Sequence, residues 1–305
     1  MKEVFIDKKE AGQRLDKYLK KYLSAAGSGF IYKMLRKKNI TLNGAKSDGS
    51  NILSEGDTIK FFFSDETFDK MRGCSVAAAA WDGPEIEVVY EDEDILIIDK
   101  PEGLLSQSDK SGEKSANEWL ISYCGSKGEL QEAFRPSVCN RLDRNTTGLL
   151  MCAKTYAGSR FLSDMIKSHD LRKFYLALAE GSMEGEAVLE GIWHKDEKNN
   201  KVRIDPAEKN KSITDADEAY VKTAYRVIEN RGDTSLLEVE LFTGKSHQIR
   251  AHLASIGHPL AGDIKYGGHP YKGRKTQYLR AYKLIFPQIT GDFSHLSGKE
   301  FIAKK

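Results

Sequence analysis

Apolar residues recur at helical spacing near the start of the chain. Leu15, Tyr18, Leu19, Tyr22 and Leu23 fall three or four apart and predict a helix soon after Ala11-Gly12. A second helix is expected over residues 28–38, with Ile31 and Leu35 on one face and Lys33, Arg36, Lys37 and Lys38 filling much of the rest. Ile40-Thr41-Leu42 then runs into Asn43-Gly44, a hairpin signal, and a closing strand over 58–63 follows the Glu55-Gly56-Asp57 turn. Residues 64–84 lose periodicity, mixing acids with a short alanine run, and read as a linker.

From residue 85 the pattern changes. Ile86-Glu87-Val88-Val89-Tyr90 and Ile95-Leu96-Ile97-Ile98 read as strands around an acidic turn. Ser115 and Glu118 form a capping box for a helix to about residue 123. Residues 149–153 form a strand, and Thr155 caps a helix to about 168 with Phe161/Met165 and Leu162/Ile166 on its buried side. Strands follow at 174–179 and 235–242, and the polar stretch 195–201 reads as a loop. Helices and strands intermixed with hairpin-length connections predict an α+β fold: a mixed, largely antiparallel central sheet flanked by helices over 85–305, plus a small α+β unit over 1–63.

Composition narrows the class. With 40% hydrophobic and 30% charged residues in 305, the chain suits a globular protein with room for a main domain and an accessory one. No secretory signal is visible at the start and no apolar run approaches the length of a spanning helix, so a cytoplasmic location without membrane attachment is expected. Cys74, Cys124, Cys139 and Cys152 lack metal-ligand spacing and read as reduced, small apolar fillers. Net charge is only +2, but residues 1–63 carry 13 Lys/Arg against 7 Asp/Glu. A basic front on a mildly acidic body is the asymmetry of an accessory module for a polyanion.

Four clusters carry candidate chemistry. Arg141-Leu142-Asp143-Arg144-Asn145-Thr146-Thr147-Gly148 sets a carboxylate between two arginines at the head of a tight turn into a strand. Alone, such a run more often marks a solvated ion-pair cluster. Lys173-Phe174-Tyr175 opens a strand that can return beside Asp143, although Lys-x-Tyr is also an ordinary strand start. In Thr243-Gly244-Lys245-Ser246-His247-Gln248-Ile249-Arg250-Ala251-His252, Ser246 is expected to cap a helix with Ile249, Leu253 and Ile256 facing the core and Arg250 in its first turns. Gly257-His258-Pro259-Leu260-Ala261-Gly262-Asp263 and Tyr266-Gly267-Gly268 form a glycine-punctuated loop able to approach a ligand. Gly244-Lys245-Ser246 matches the end of a nucleotide-binding P-loop, but that pattern needs glycine where Val239 stands, so no nucleotide cofactor is expected. His247 and His252, five apart, rotate away from each other on a helix, so neither these nor His258 is read as a metal ligand.

Taken in order, these segments resemble the RluA family of pseudouridine synthases. The match runs through Val89-Tyr90-Glu91-Asp92, Lys100-Pro101-Glu102-Gly103, 141–149, 173–175, 243–252 and 257–267, with Thr147 in place of serine and Lys245 in place of arginine. Asn140 and Arg280 stand where many members carry histidine. The order of parts in residues 1–63 is similar to an S4-like RNA-binding domain. The resemblance implies an RNA isomerase that detaches uracil, turns it and rejoins it through carbon 5, with no cofactor. It implies Asp143 as the essential carboxylate, Arg250 as its partner, and Tyr175 as the ring that stacks on the base and assists removal of the carbon-5 proton. Arg141, Lys173, Arg14, Lys17, Lys33, Arg36 and Lys37 are the residues expected to meet RNA. Large-subunit (23S) ribosomal RNA is the expected substrate and a monomer the expected state; transfer RNA, or a noncatalytic RNA-binding role in ribosome assembly, are the alternatives.

Overall fold

In the computed structural model, which describes residues 1–72, 79–196, 201–206 and 218–304, the first 72 residues fold around a small core that Ala133 also enters. Strand β1 (Lys2–Phe5) is followed by helices α1 (Leu15–Tyr22) and α2 (Ser28–Arg36), then β2 (Ile40–Leu42) and β3 (Thr58–Phe61). The three strands form an antiparallel sheet with β3 in the middle. Leu15, Tyr18 and Leu19 from α1 and Ile31 and Leu35 from α2 pack on Ile40, Ile59 and Phe61. Asp16, buried among them, accepts hydrogen bonds from Arg14 Nε at 3.0 Å and Tyr32 Oη at 2.8 Å and so ties the two helices together. After β2 the chain reverses at Asn43 and Gly44, both at positive φ, the backbone that this dipeptide favours.

The segment read as a linker is corrected in its first part. Helix α3 (Asp65–Arg72) forms there because Ser64 Oγ accepts the Thr67 amide and Phe68, 2% exposed, enters an aromatic cluster with Tyr22, Phe61 and Phe63. A single buried aromatic in an acidic stretch gives almost no periodic signal. The rest of that segment lies partly outside the described residues, as do Cys74 and most of the expected loop at 195–201.

The remaining elements are β4 (Glu87–Glu91), β5 (Ile95–Lys100), α4 (Ala116–Ser126), β6 (Ser137–Val138), β7 (Thr147–Ala153), α5 (Tyr156–Ser168), β8 (Arg172–Glu180), β9 (Glu186–Asp196), β10 (Lys201–Pro206), β11 (Glu218–Asn230), β12 (Thr234–Leu241), α6 (Gln248–Ser255), β13 (Leu279–Ile285) and β14 (Glu300–Ile302). They build one sheet in the order β10-β9-β11-β12-β8-β13-β7-β5-β4, with β14 on β13 and β6 on β7. Its pairs are antiparallel except β13 with β7. The expected α+β architecture is therefore observed. One face carries α4 and α6 through Trp119, Leu120, Ile249 and Leu253; the other carries α5 through Leu162. Ser115 forms the full capping box and Thr155 accepts the Gly158 amide, as their spacing predicts.

The parallel seam explains a glycine of the Asp143 segment. Gly148 sits at φ 109°, and a Cβ there would lie 2.0 Å from the Ala281 carbonyl oxygen of β13. Any side chain at 148 would force the two strands apart.

Candidate active site

The Asp143 loop enters β7 beside its parallel seam with β13 and is fastened from several directions. Ser106 Oγ accepts the Leu142 amide at 3.0 Å and donates to the Leu142 carbonyl at 2.9 Å. The Thr146 amide donates to the Asp143 carbonyl, and Gln277 Nε2 donates to Thr146 Oγ1 at 3.2 Å. Lys100, fully buried at the end of β5, donates to the carbonyls of Pro101, Leu104 and Arg144 at 2.9, 2.8 and 2.9 Å. Burial lowers its pKa to about 8, and the charges of Asp143 and Glu102 only partly offset this. A buried ammonium with its three protons on three carbonyls makes a rigid clamp on the backbone that follows Asp143.

Arg250, 6% exposed on α6, organises the acids. Its Nη1 donates to Asp143 Oδ2 at 2.9 Å, while Nε and Nη2 form a two-pronged pair with Asp263 at 2.7 and 2.8 Å. Burial works to lower its pKa, but hydrogen bonding to Asp263, the charge of Asp263 and then Asp143 outweigh it and raise the value. Asp263, 2% exposed, thus fixes the guanidinium in the plane that meets Asp143. Tyr266 packs beneath, with the Arg250 guanidinium 4.9 Å from its ring centre.

Tyr175 projects from β8 into the same face, 7% exposed. Burial, and then the negative charge of Asp143, raise its pKa, so the ring is presented as a protonated phenol. The structure therefore brings Asp143, Tyr175 and Arg250 to one place from a loop, a strand and a helix. Asp143 keeps about a fifth of its side chain open to solvent, enough to meet a ligand.

Three expectations are corrected. Helix α6 begins at Gln248 with His247 as its left-handed N-cap residue at φ 55° and no side-chain cap, so Ser246 does not cap it; the Ser246 carbonyl instead accepts Trp193 Nε1 at 3.0 Å. Ile256, after the helix ends, is 38% exposed rather than in the core. Lys173 does not reach the surface: on β8 it is only 6% exposed, and burial lowers its pKa. Among the other expected RNA-facing cations, Arg141, Lys17, Lys33, Arg36, Lys37 and Arg14 are all exposed, Arg14 while also paired with Asp16 at 3.0 Å.

Asp263, Lys100, Tyr266 and His247 were not among the residues expected to build the site. Asp263 and Tyr266 lie in the glycine-punctuated loop, which was a usable signal. Lys100 opens one of the family-like segments, but its task is not marked there, because its acceptors are set by the fold. A hollow of about 1430 Å³ between the N-terminal unit and α4, bordered by Lys21, Trp81 and Phe134, lies away from these groups.

Comparisons agree with the geometry. Residues 94–255 match the family model described as RNA pseudouridylate synthase. An RNA pseudouridine synthase of Mycoplasma pneumoniae is 31% identical over 289 residues, covering 90% of this chain and 85% of that protein. The ribosomal large subunit pseudouridine synthase C of Vibrio cholerae is 27% identical, covering 90% and 82%. Among solved structures, human RNA pseudouridylate synthase domain containing 4 shares the fold with a TM-score of 0.57 at 20% identity, over 71% of this chain and 87% of that one.

Proposed function

Since the chain belongs to the RNA pseudouridylate synthase family, of RluA type, and is thereby an isomerase of RNA uridines, we propose that its substrate is large-subunit ribosomal RNA. The names of relatives at 27–28% identity favour that RNA over transfer RNA. The observation that carries the site assignment is the Arg250 guanidinium held by buried Asp263 and turned onto Asp143 at 2.9 Å.

Each residue has a physical task in this reading. The target uridine must leave its stack, which costs a few kcal/mol, offset by pocket and phosphate contacts. Exposed Arg141, two residues before Asp143, is suited to the adjacent phosphates or the vacated stack. Asp143 is the carboxylate that acts on the nucleoside, and the Arg250 fork orients it. Tyr175 offers a stacking face for uracil; with its phenol proton held by burial and by Asp143, it is not itself the base for the carbon-5 proton, which passes to water. The exposed cations Lys17, Lys33, Arg36 and Lys37 of the S4-like unit run along RNA phosphates. An assembly factor that had kept the fold without chemistry would be free to lose these three groups, and Asp143, Tyr175 and Arg250 are all present.

Tritium release from RNA labelled at uridine carbon 5 tests the reading, because that hydrogen must pass to water. Wild-type protein should release it from an unmodified large-subunit ribosomal RNA transcript, and Asp143→Asn should not. Release at an undiminished rate from the Asn variant would remove Asp143 from the chemistry. Mapping pseudouridine in RNA from cells lacking the protein identifies the target; a loss confined to transfer RNA would overturn the ribosomal assignment.

A further inference from the structure

His247 stands beside Asp143 without bonding to it. Its Nε2 lies 3.9 Å from Asp143 Oδ2, beyond hydrogen-bond reach, and both side chains are partly open, at 13% and 21% exposure. The other ring nitrogen is already engaged: Nδ1 lies 2.9 Å from Tyr266 Oη. That phenol oxygen accepts the Val202 amide at 2.9 Å, and burial pushes its pKa up to about 12, so it keeps a proton to donate to Nδ1. In the tautomer that accepts this bond the imidazole proton is on Nε2, on the side of Asp143. The ring cannot easily turn away, since His247 is fixed in a left-handed backbone at the start of α6 and meets Tyr266 edge to face.

A donor and a carboxylate 3.9 Å apart define what fits between them. One oxygen about 2.8 Å from each closes a triangle with an angle of about 90° at that oxygen. It must accept a hydrogen bond from Nε2–H and donate one to Asp143. Within an RNA chain the 3′ and 5′ oxygens are esterified, the uracil carbonyls only accept, and uracil N3–H only donates. The ribose 2′-hydroxyl alone does both. We propose that His247 and Asp143 together grip the 2′-hydroxyl of the target nucleotide, making His247 a substrate-binding residue that selects ribose over deoxyribose. The inference rests on the uridine-isomerase reading of the site.

The test is a cycle on both enzyme and RNA. An RNA fragment spanning the mapped uridine is made with a ribose or a 2′-deoxyribose at that one nucleotide, and its dissociation constant is measured by fluorescence anisotropy. Wild-type enzyme should prefer the ribose by about tenfold, the worth of one or two modest hydrogen bonds. His247→Phe should reduce that preference to about twofold or less by weakening only the ribose complex. His247→Gln, which retains an N–H, should keep most of it. A wild-type enzyme indifferent to the sugar would overturn the proposal and assign the gap to water. Equal weakening of both complexes by His247→Phe would also overturn it, showing a structural role. Persistent tritium release by Asp143→Asn would instead sink the underlying reading of the site, so the two failures are distinguishable.

Discussion

The same residue types do opposite kinds of work in the two halves of this molecule. On the N-terminal unit, Lys17, Lys33, Arg36 and Lys37 stand in solvent on helices whose other faces form the small core. In the catalytic half, Lys100 and Arg250 are buried, with their donors distributed over backbone carbonyls and carboxylates. An exposed cation contributes a small, salt-screened increment that adds to its neighbours. A buried one fixes geometry, and removing it leaves desolvated partners unpaired. The first set should therefore fail gradually and the second abruptly.

The sharpest break of that contrast is at Arg250. Arg250→Met leaves buried Asp263 without its two-pronged partner, which should cost about 3–5 kcal/mol of stability and abolish tritium release. Urea unfolding followed by circular dichroism checks the first part. Lys100→Met comes next. It strips three carbonyls of their donor, and a loss of about 1–3 kcal/mol is expected with a fall in activity as the Asp143 loop loosens. If neither variant destabilises the protein, the difference between buried and exposed cations is false here.

On the exposed side, changing Lys33, Arg36 and Lys37 together to alanine should leave the melting temperature within a few degrees. Its effect should be on RNA: affinity falls, and the slope of log K against log salt becomes shallower by about one for each phosphate no longer neutralised. Filter binding between low and moderate salt measures it. An unchanged slope would mean that this helix face meets only water.

The last test is a titration. His252 is buried on α6 with Nδ1 2.8 Å from Thr223 Oγ1, and burial lowers its pKa from 6.5 to about 4. The unfolded chain takes up a proton there as pH falls below about 6.5, while the folded protein resists until about pH 4. Stability is thus fully present above the unfolded value and is lost on acidification across that window, by at most about 1.4 kcal/mol per pH unit. Glu10, raised to about 6 by burial and then by Asp7, works in the opposite sense from there down to 4.5. Comparing wild type with His252→Gln isolates the histidine contribution, and identical pH profiles would refute it.

Much of this contrast was legible beforehand. Asp143, Tyr175 and Arg250 were readable because each lies in a segment whose order along the chain is distinctive, and the helix caps at Ser115 and Thr155 because capping is local. Lys100 and His247 lie in segments of the same kind, but their tasks were not readable, since their contacts are set only by the fold: Lys100 meets Arg144 across 44 residues and His247 meets Tyr266 across 19. Lys173 misled for the same reason. Its pattern marks a strand, but only the fold shows that its side chain is covered. Helix α3 was missed because one buried phenylalanine makes no period.

The parallel pairing of β7 with β13 sets a timetable for the newborn chain. The wall that supports the Asp143 loop includes Gln277, 131 residues downstream of Thr146. At about 5–20 residues per second, translation takes roughly 7–26 s to supply it. During that interval the Asp143 loop lacks the strand that supports it, so the site closes only once the last part of the catalytic half has been made.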